Sequence, residues 1–262
     1  MRAARTPDGP ATLRLVSRPS GAVEAEAWGA GADWALDTAP ELIGAHDTAE
    51  GFVPIHPAVK EAWRRCRGVR MTRSRDVTRT MMAAILEQKV TGIEARRAWR
   101  GLVRAHPEAA PGPHGLLLPP DPVRVAEMPY FAMHPFGVER RRAEVLRAAC
   151  ERATRMEALS DDPPEEARAW LERLPGIGPW TAAQVACIAL GDPDAVSVGD
   201  FHMPHIVCWA LAREPRGTDE RMLELLEPYR GHRARVQRLL QASGAAAPRF
   251  GPKKEPAAIE RY

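Results

Sequence analysis

Asp200 stands twenty residues beyond the segment Leu-Pro-Gly-Ile-Gly-Pro-Trp that occupies positions 174–180. A carboxylate can stabilise a developing cation, orient a water molecule or take its proton. Ahead of the apolar run Met203–Leu211 it can equally act as a helix N-cap, and the two roles are compatible. Gly176 and Gly178, with Ile177 between them, permit positive φ and a close approach of the backbone that a Cβ resists. Pro179 suits a first helical turn, where its missing N–H costs nothing. A helix that starts just after Gly-x-Gly turns unpaired N–H groups and a positive dipole end toward an anion. Residues 171–190 therefore read as helix, glycine hairpin and helix, able to hold a phosphate close to a carboxylate. Asp192 and Asp194, in Gly-Asp-Pro-Asp, read as turn formers.

The elements that must carry these groups are mainly helical. The expected organisation is a frayed N-terminus over 1–10, a small α+β subdomain over 11–70, a helical core over 71–243 and a tail over 244–262. Thr12–Val16 and Ala22–Trp28, the latter alternating in VEAEAW, predict an antiparallel hairpin. Helices are expected over Ala32–Ile43 and Pro57–Arg67. From Asp76 the pattern is helical almost throughout, with Thr91 and Glu94 as a capping box. Further helices are expected near 138–159, 163–174 (with Asp162 as cap), 179–190, 203–213, 218–227 and 231–243.

Bulk properties exclude more than they assign. The 262 residues can bury a sizeable core. The net charge of +3 does not by itself suggest nucleic acid. Lysine occurs only at 60, 89, 253 and 254, so arginine supplies nearly all the positive charge; this suits bidentate phosphate contacts, or simply reflects genomic base composition. Cys66, Cys150, Cys187 and Cys208 are widely scattered, against zinc and against a disulfide framework. The N-terminus has no apolar signal core and nothing approaches a membrane-spanning run, so a cytoplasmic location is the expectation.

LPGIGPWTA with the distal Asp200, AAILEQKVTG at 83–92 and HPFGVERRRAEVLR at 134–147 together resemble the helix–hairpin–helix DNA glycosylases, in their alkylpurine (3-methyladenine) branch. The resemblance covers roughly residues 76–243. It implies a mainly α, two-lobed core preceded by a small α+β subdomain, and action on damaged bases in double-stranded DNA. A monomer is assumed, since such an enzyme contacts few base pairs and nothing in the sequence suggests an oligomerisation seam. Asp200 would drive cleavage of the C1′–N bond, and the amides at Gly176, Ile177 and Gly178 would anchor a DNA phosphate. Bifunctional relatives carry a Schiff-base lysine at the position of Trp180. A ring cannot be that nucleophile, so hydrolysis without strand cleavage is expected.

Trp180 either stacks on an extruded base, favouring a cationic alkylpurine by about 0.5–2 kcal/mol, or packs between helices. Gln88 either reads a base edge or is a buried structural amide. Lys89 enters the emptied duplex position, contacts a phosphate or is simply exposed on its helix. Gln184 lies where relatives differ and is a further pocket candidate. Tyr229 is a candidate pocket wall or an ordinary packing tyrosine, and His232 a candidate phosphate donor. The resemblance also implies that hairpin carbonyls can hold a monovalent cation, and it implies no catalytic cofactor. The iron–sulfur cluster of the endonuclease III branch has no cysteine set here. The alternatives are the same fold acting on hypoxanthine, an oxidised purine or uracil, and a non-catalytic DNA-binding module.

Overall fold

The computed structural model describes residues 1–248, so most of the expected 244–262 tail lies outside the described residues. Those residues form fourteen α-helices and one three-stranded sheet. They fall into two compact units, one made of Met1–Ile43 with Ser74–Asp161, the other of Gly44–Arg73 with the chain from Asp162. This is not the division at 70/71 expected from sequence. Helical periodicity shows which face of a helix is apolar, but not which distant segment covers it.

In the first unit the expected hairpin is present as β2 (Gly9–Ser17) and β3 (Val23–Trp28), paired antiparallel. Residues 1–10, expected to fray, instead supply β1 (Arg2–Thr6), which pairs with β2 from Arg2↔Leu13 to Thr6↔Gly9. The reason is local: Thr6-Pro7-Asp8-Gly9 is a turn sequence, with Gly9 at φ 116° and the Thr6 hydroxyl donating to the Gly9 carbonyl at 2.7 Å. Ala11 and Leu13 pack against Ala35 of α1 (Ala32–Asp37) and Ala39 of α2 (Ala39–Leu42). Here one expected helix is broken at Thr38, whose hydroxyl donates to the Trp34 carbonyl.

Skipping α3 (Pro57–Arg65), which belongs to the second unit, the first unit resumes with α4 (Val77–Glu87). This helix is apolar around nearly its whole circumference, as a central helix must be: Met81, Met82, Ile85 and Leu86 are fully buried. It packs on α5 (Gly92–Ala105), α8 (Arg140–Cys150) and α9 (Ala153–Ala158). The Thr91/Glu94 capping box opens α5 as expected. Two short helices, α6 (Pro122–Glu127) and α7 (Tyr130–Met133), precede α8. The helix expected over 138–159 is interrupted between α8 and α9, and Glu157 of α9 accepts the Val77 and Thr78 N–H groups that start α4. Burial raises that carboxyl above its ordinary range.

The second unit contains α3, α10 (Pro164–Leu171), α11 (Pro179–Val185), α12 (Met203–Ala212), α13 (Asp219–Leu226) and α14 (Arg233–Ala242). α11 continues as a π-helical stretch, Ala186–Leu190. Proline occupies the first turn of α3, α10, α11 and α12, where it blocks no helical bond. Pro163, not Asp162, stands at the N-cap of α10, without a side-chain cap. Val59, Met203, Val207, Met222, Leu226, Val236 and Leu240 form the core. Beside them Arg235 grips Asp47 with both terminal nitrogens; the side chains are 3% and 9% exposed.

Candidate active site

The hairpin follows from its residues. After α10, the Ile177 N–H donates to the Leu174 carbonyl at 3.0 Å and the Ile177 side chain is 5% exposed, so this residue ties the turn to the core. Gly176 has φ 81°, which only glycine adopts freely. Gly178 differs from the expectation for it: its φ is −100° and it is the extended N-cap of α11. A Cβ at Gly178 would meet no protein atom, so the fold alone does not require glycine there. The Ile177 amide is committed, contrary to its expected role as an anion donor. The amides open to a ligand are those of Gly178, which has no acceptor among the described residues, and Trp180, in the first helical turn.

The next helix brings its second side chain to the carboxylate. Trp180 Nε1–H donates to Asp200 Oδ2 at 2.9 Å. The other oxygen, Oδ1, accepts the backbone N–H groups of His202 and Met203, each at 2.8 Å. Asp200 is thus both a cap for the start of α12 and a partner of the hairpin's tryptophan. Trp180 and Asp200 are each half-buried. A carboxylate has about four acceptor positions; two of them on Oδ1 and one on Oδ2 are used, leaving one on Oδ2 for a water or a sugar. Gly199, at φ 86°, makes the turn that presents Asp200, with its own α-carbon side facing the Trp180 Cβ.

Gln184, one turn beyond Trp180, is half-buried and donates to Ser197 Oγ at 3.1 Å. Phe201, which the sequence reading passed over, is 81% exposed and meets the rings of His202 and His205 edge-on. An apolar residue directly after the carboxylate was the available signal.

Other candidates are placed elsewhere. Tyr229 is 3% exposed in the core of the second unit, so it is not a pocket wall. Its hydroxyl accepts the His56 backbone N–H at 2.9 Å and bonds His56 Nδ1 at 2.7 Å, where burial lowers the imidazole's pKa. His232 is held structurally, with Nε2 2.9 Å from the Glu50 carbonyl and Nδ1 accepting from Arg235. Asp192 and Asp194 form the expected turn. Burial raises the Asp192 carboxyl despite its Arg168 partner at 2.6 Å. Burial also opposes ionisation of Asp194, but Arg233 and the Arg233 and Gly231 amides carry its pKa below the usual range.

Gln88 and Lys89 belong to the first unit and not to a helix. α4 ends at Glu87; Gln88 is its C-cap at ψ 119°, and exposed Lys89 has φ 59°. Arg142, 4% exposed, accounts for that end: its Nη1 donates to the Leu86 carbonyl at 3.0 Å and its Nη2 to the Gly137 carbonyl at 2.9 Å. A left-handed lysine costs on the order of 1–2 kcal/mol. Among the described residues no group of three or more His, Cys, Asp or Glu could hold a metal, and no helix is long and apolar enough to cross a membrane.

No protein-family model matches the chain. The 3-methyladenine DNA glycosylase of Archaeoglobus fulgidus superposes with a TM-score of 0.78 at 19% identity, over 93% of this chain and 86% of that one. This chain has the DNA glycosylase fold. An 8-oxoguanine glycosylase/lyase of Clostridium acetobutylicum, solved with duplex DNA, shares the glycosylase fold at a TM-score of 0.64 and 13% identity, over 87% of this chain and 86% of that one. In sequence, 137 residues are 31% identical to a probable bifunctional transcriptional activator/DNA repair enzyme AlkA of Mycobacterium tuberculosis. The match takes in 51% of this chain but only 27% of that longer protein. The resemblance to helix–hairpin–helix glycosylases, and the mainly helical fold it implied, are therefore borne out.

Proposed function

We propose that the chain is a DNA glycosylase that removes alkylated purines from duplex DNA by hydrolysis, leaving an abasic site and an uncut strand. The observation that carries this reading is the 2.9 Å bond between Trp180 Nε1 and Asp200 Oδ2, which joins the hairpin to the carboxylate. The Gly178 and Trp180 amides take a DNA phosphate. The target nucleotide is rotated out of the stack. As the C1′–N bond breaks, its electron pair leaves with the base, and Asp200 faces the sugar cation that forms. Water then adds to C1′ and gives its proton to Asp200 or to solvent. A purine alkylated at N3 or N7 departs neutral, so one carboxylate suffices without a strong general acid.

Trp180 supplies no amine for a Schiff base, which supports hydrolysis over lyase chemistry. In the first unit, Gln88 is proposed to read a base edge, and Lys89 to meet the duplex with its stem or ammonium group. Gln184 shapes the pocket through Ser197. The partner is damaged double-stranded DNA, bound by a cytoplasmic monomer. The Leu174 carbonyl, which already accepts the Ile177 N–H, retains a second lone pair that suits a monovalent cation; no catalytic cofactor enters the proposal.

The test is Asp200→Asn on duplexes carrying 3-methyladenine or 7-methylguanine. Single-turnover excision should fall on the order of 10²–10⁴-fold, while abasic-site DNA is still bound. Excision at the parent rate would sink the mechanism. A second reading, an oxidised purine as substrate, is favoured by the likeness to the 8-oxoguanine glycosylase/lyase. Activity on 8-oxoguanine with methylated purines untouched would select it.

A further inference from the structure

The loop that presents Asp200 is held from behind by two side chains that no step of the reaction uses. The Ser197 N–H donates to Gln237 Oε1 at 3.2 Å. Gln237 lies in α14, is 4% exposed, and among the described residues its Nε2 finds only the weak acceptor Met222 Sδ at 3.3 Å. An amide buried against aliphatic neighbours is costly unless it is bonded, and here the bond goes to the loop. Two residues on, the Gly199 N–H donates to Asp219 Oδ2 at 3.0 Å, while Asp219 Oδ1 is buried with no partner among the described residues. A first-turn acid needs no such burial to complement the dipole of α13, since exposed Glu220 already does so.

We propose that Asp219 and Gln237 are positioning residues for Asp200. They clamp the backbone at 197 and 199, so that the carboxylate meets the Trp180 indole and keeps its open lone pair turned outward. The inference rests on Asp200 as the reacting group, and touching no substrate is part of the claim. Asp219 acts as a hydrogen-bond acceptor and not through its charge, so an amide oxygen can replace it.

The indole N–H resonance of Trp180, in the ¹⁵N-labelled full chain, reads the clamp without any turnover. It is assigned by its loss in Trp180→Phe, and the other six tryptophans report whether the fold is intact. Asp219→Ala and Gln237→Met should each move this signal toward its position in Asp200→Ala; Asp219→Asn should leave it in place. Single-turnover excision of an alkylated purine should fall about 10–100-fold in the first two variants, recover in Asp219→Asn, and leave affinity for abasic duplex within about threefold. Where Gln237→Met does not fold, the Asp219 pair decides. A Trp180 signal unmoved in Asp219→Ala, or equal damage by Asn and Ala, overturns the proposal. Signals that move as expected in a protein whose parent form excises no lesion would retain the clamp and refute the glycosylase reading.

Discussion

Replacing Trp180 by Phe removes one donor and keeps an aromatic face, which separates two contributions that the sequence cannot. A hydrogen bond to a charged group contributes about 1.5–3 kcal/mol. Both partners are half-buried, so the lower end applies, about 1.5 kcal/mol. Oδ1 remains anchored on the His202 and Met203 amides, so the carboxylate is not lost from the site. It loses one of its three bonds, the one that fixes Oδ2, so the open lone pair of that oxygen is held less firmly in direction. If that whole amount is felt only when the sugar cation forms, excision slows about tenfold, since 1.36 kcal/mol is one decade. The loss should be the same for a cationic base and a neutral one. Trp180→Ala removes the face as well, and cation–π attraction of about 0.5–2 kcal/mol adds a loss of roughly 2–30-fold for the cationic base alone. The assay is single-turnover excision from duplexes carrying 7-methylguanine or hypoxanthine, with parent, Phe and Ala proteins. A Phe variant at the parent rate on both lesions would refute the role given to the indole N–H. Equal further losses on both lesions in the Ala variant would refute stacking on a charged base.

Asp47→Ala should destabilise the protein in urea by about 3–5 kcal/mol, because it strands a buried Arg235. Burial works against the Asp47 charge, but Arg235 and the Met71 and Ala49 amides hold its carboxyl below the usual range. Its contribution is therefore present above about pH 4 and lost as pH falls through the lower folded value, so the gap between parent and variant should close in acid; a constant gap would refute the pairing. Among the thiols, burial pushes Cys150 up to about 12, with Asp121 and Glu151 adding to it, and burial also raises Cys187 and Cys208. Native protein at pH 8 should release one prompt equivalent with a disulfide reagent, from Cys66, and prompt labelling of Cys150 would refute its burial.

What could be read in the sequence was what neighbouring residues decide among themselves. The hairpin, the capping box at Thr91 and Glu94, and the β2–β3 pairing are each set within a dozen or so residues. Asp200 was legible because its spacing from the hairpin carried a resemblance. The two readings of Tyr229, pocket wall or packing tyrosine, could not be separated locally because its surroundings come from His56, 173 residues away. Lys89 was put on a helix because nothing local says that Arg142 will take the Leu86 carbonyl and end it. β1 was missed although its turn, Thr-Pro-Asp-Gly, is local, because only pairing with β2 gives that edge a reason to be ordered. Gln237 and Asp219 carry no local mark: one looks like a polar position on a helix and the other like a common first-turn acid.

The double duty of Asp200 decides how its substitutions must be read. Asparagine keeps an oxygen for the His202 and Met203 amides, so the start of α12 stays capped. Its second atom, however, becomes an NH₂ group facing the Trp180 N–H, two donors where there had been a bond. The indole must then lose its partner or turn away, so Asp200→Asn removes the charge and the Trp180 contact together. The rate losses of Asp200→Asn and Trp180→Phe therefore cannot add, since both include the same bond. That non-additivity follows from the geometry of one carboxylate, and observing it would separate the proposed reacting group from a mere helix cap, whose loss would be indifferent to the tryptophan.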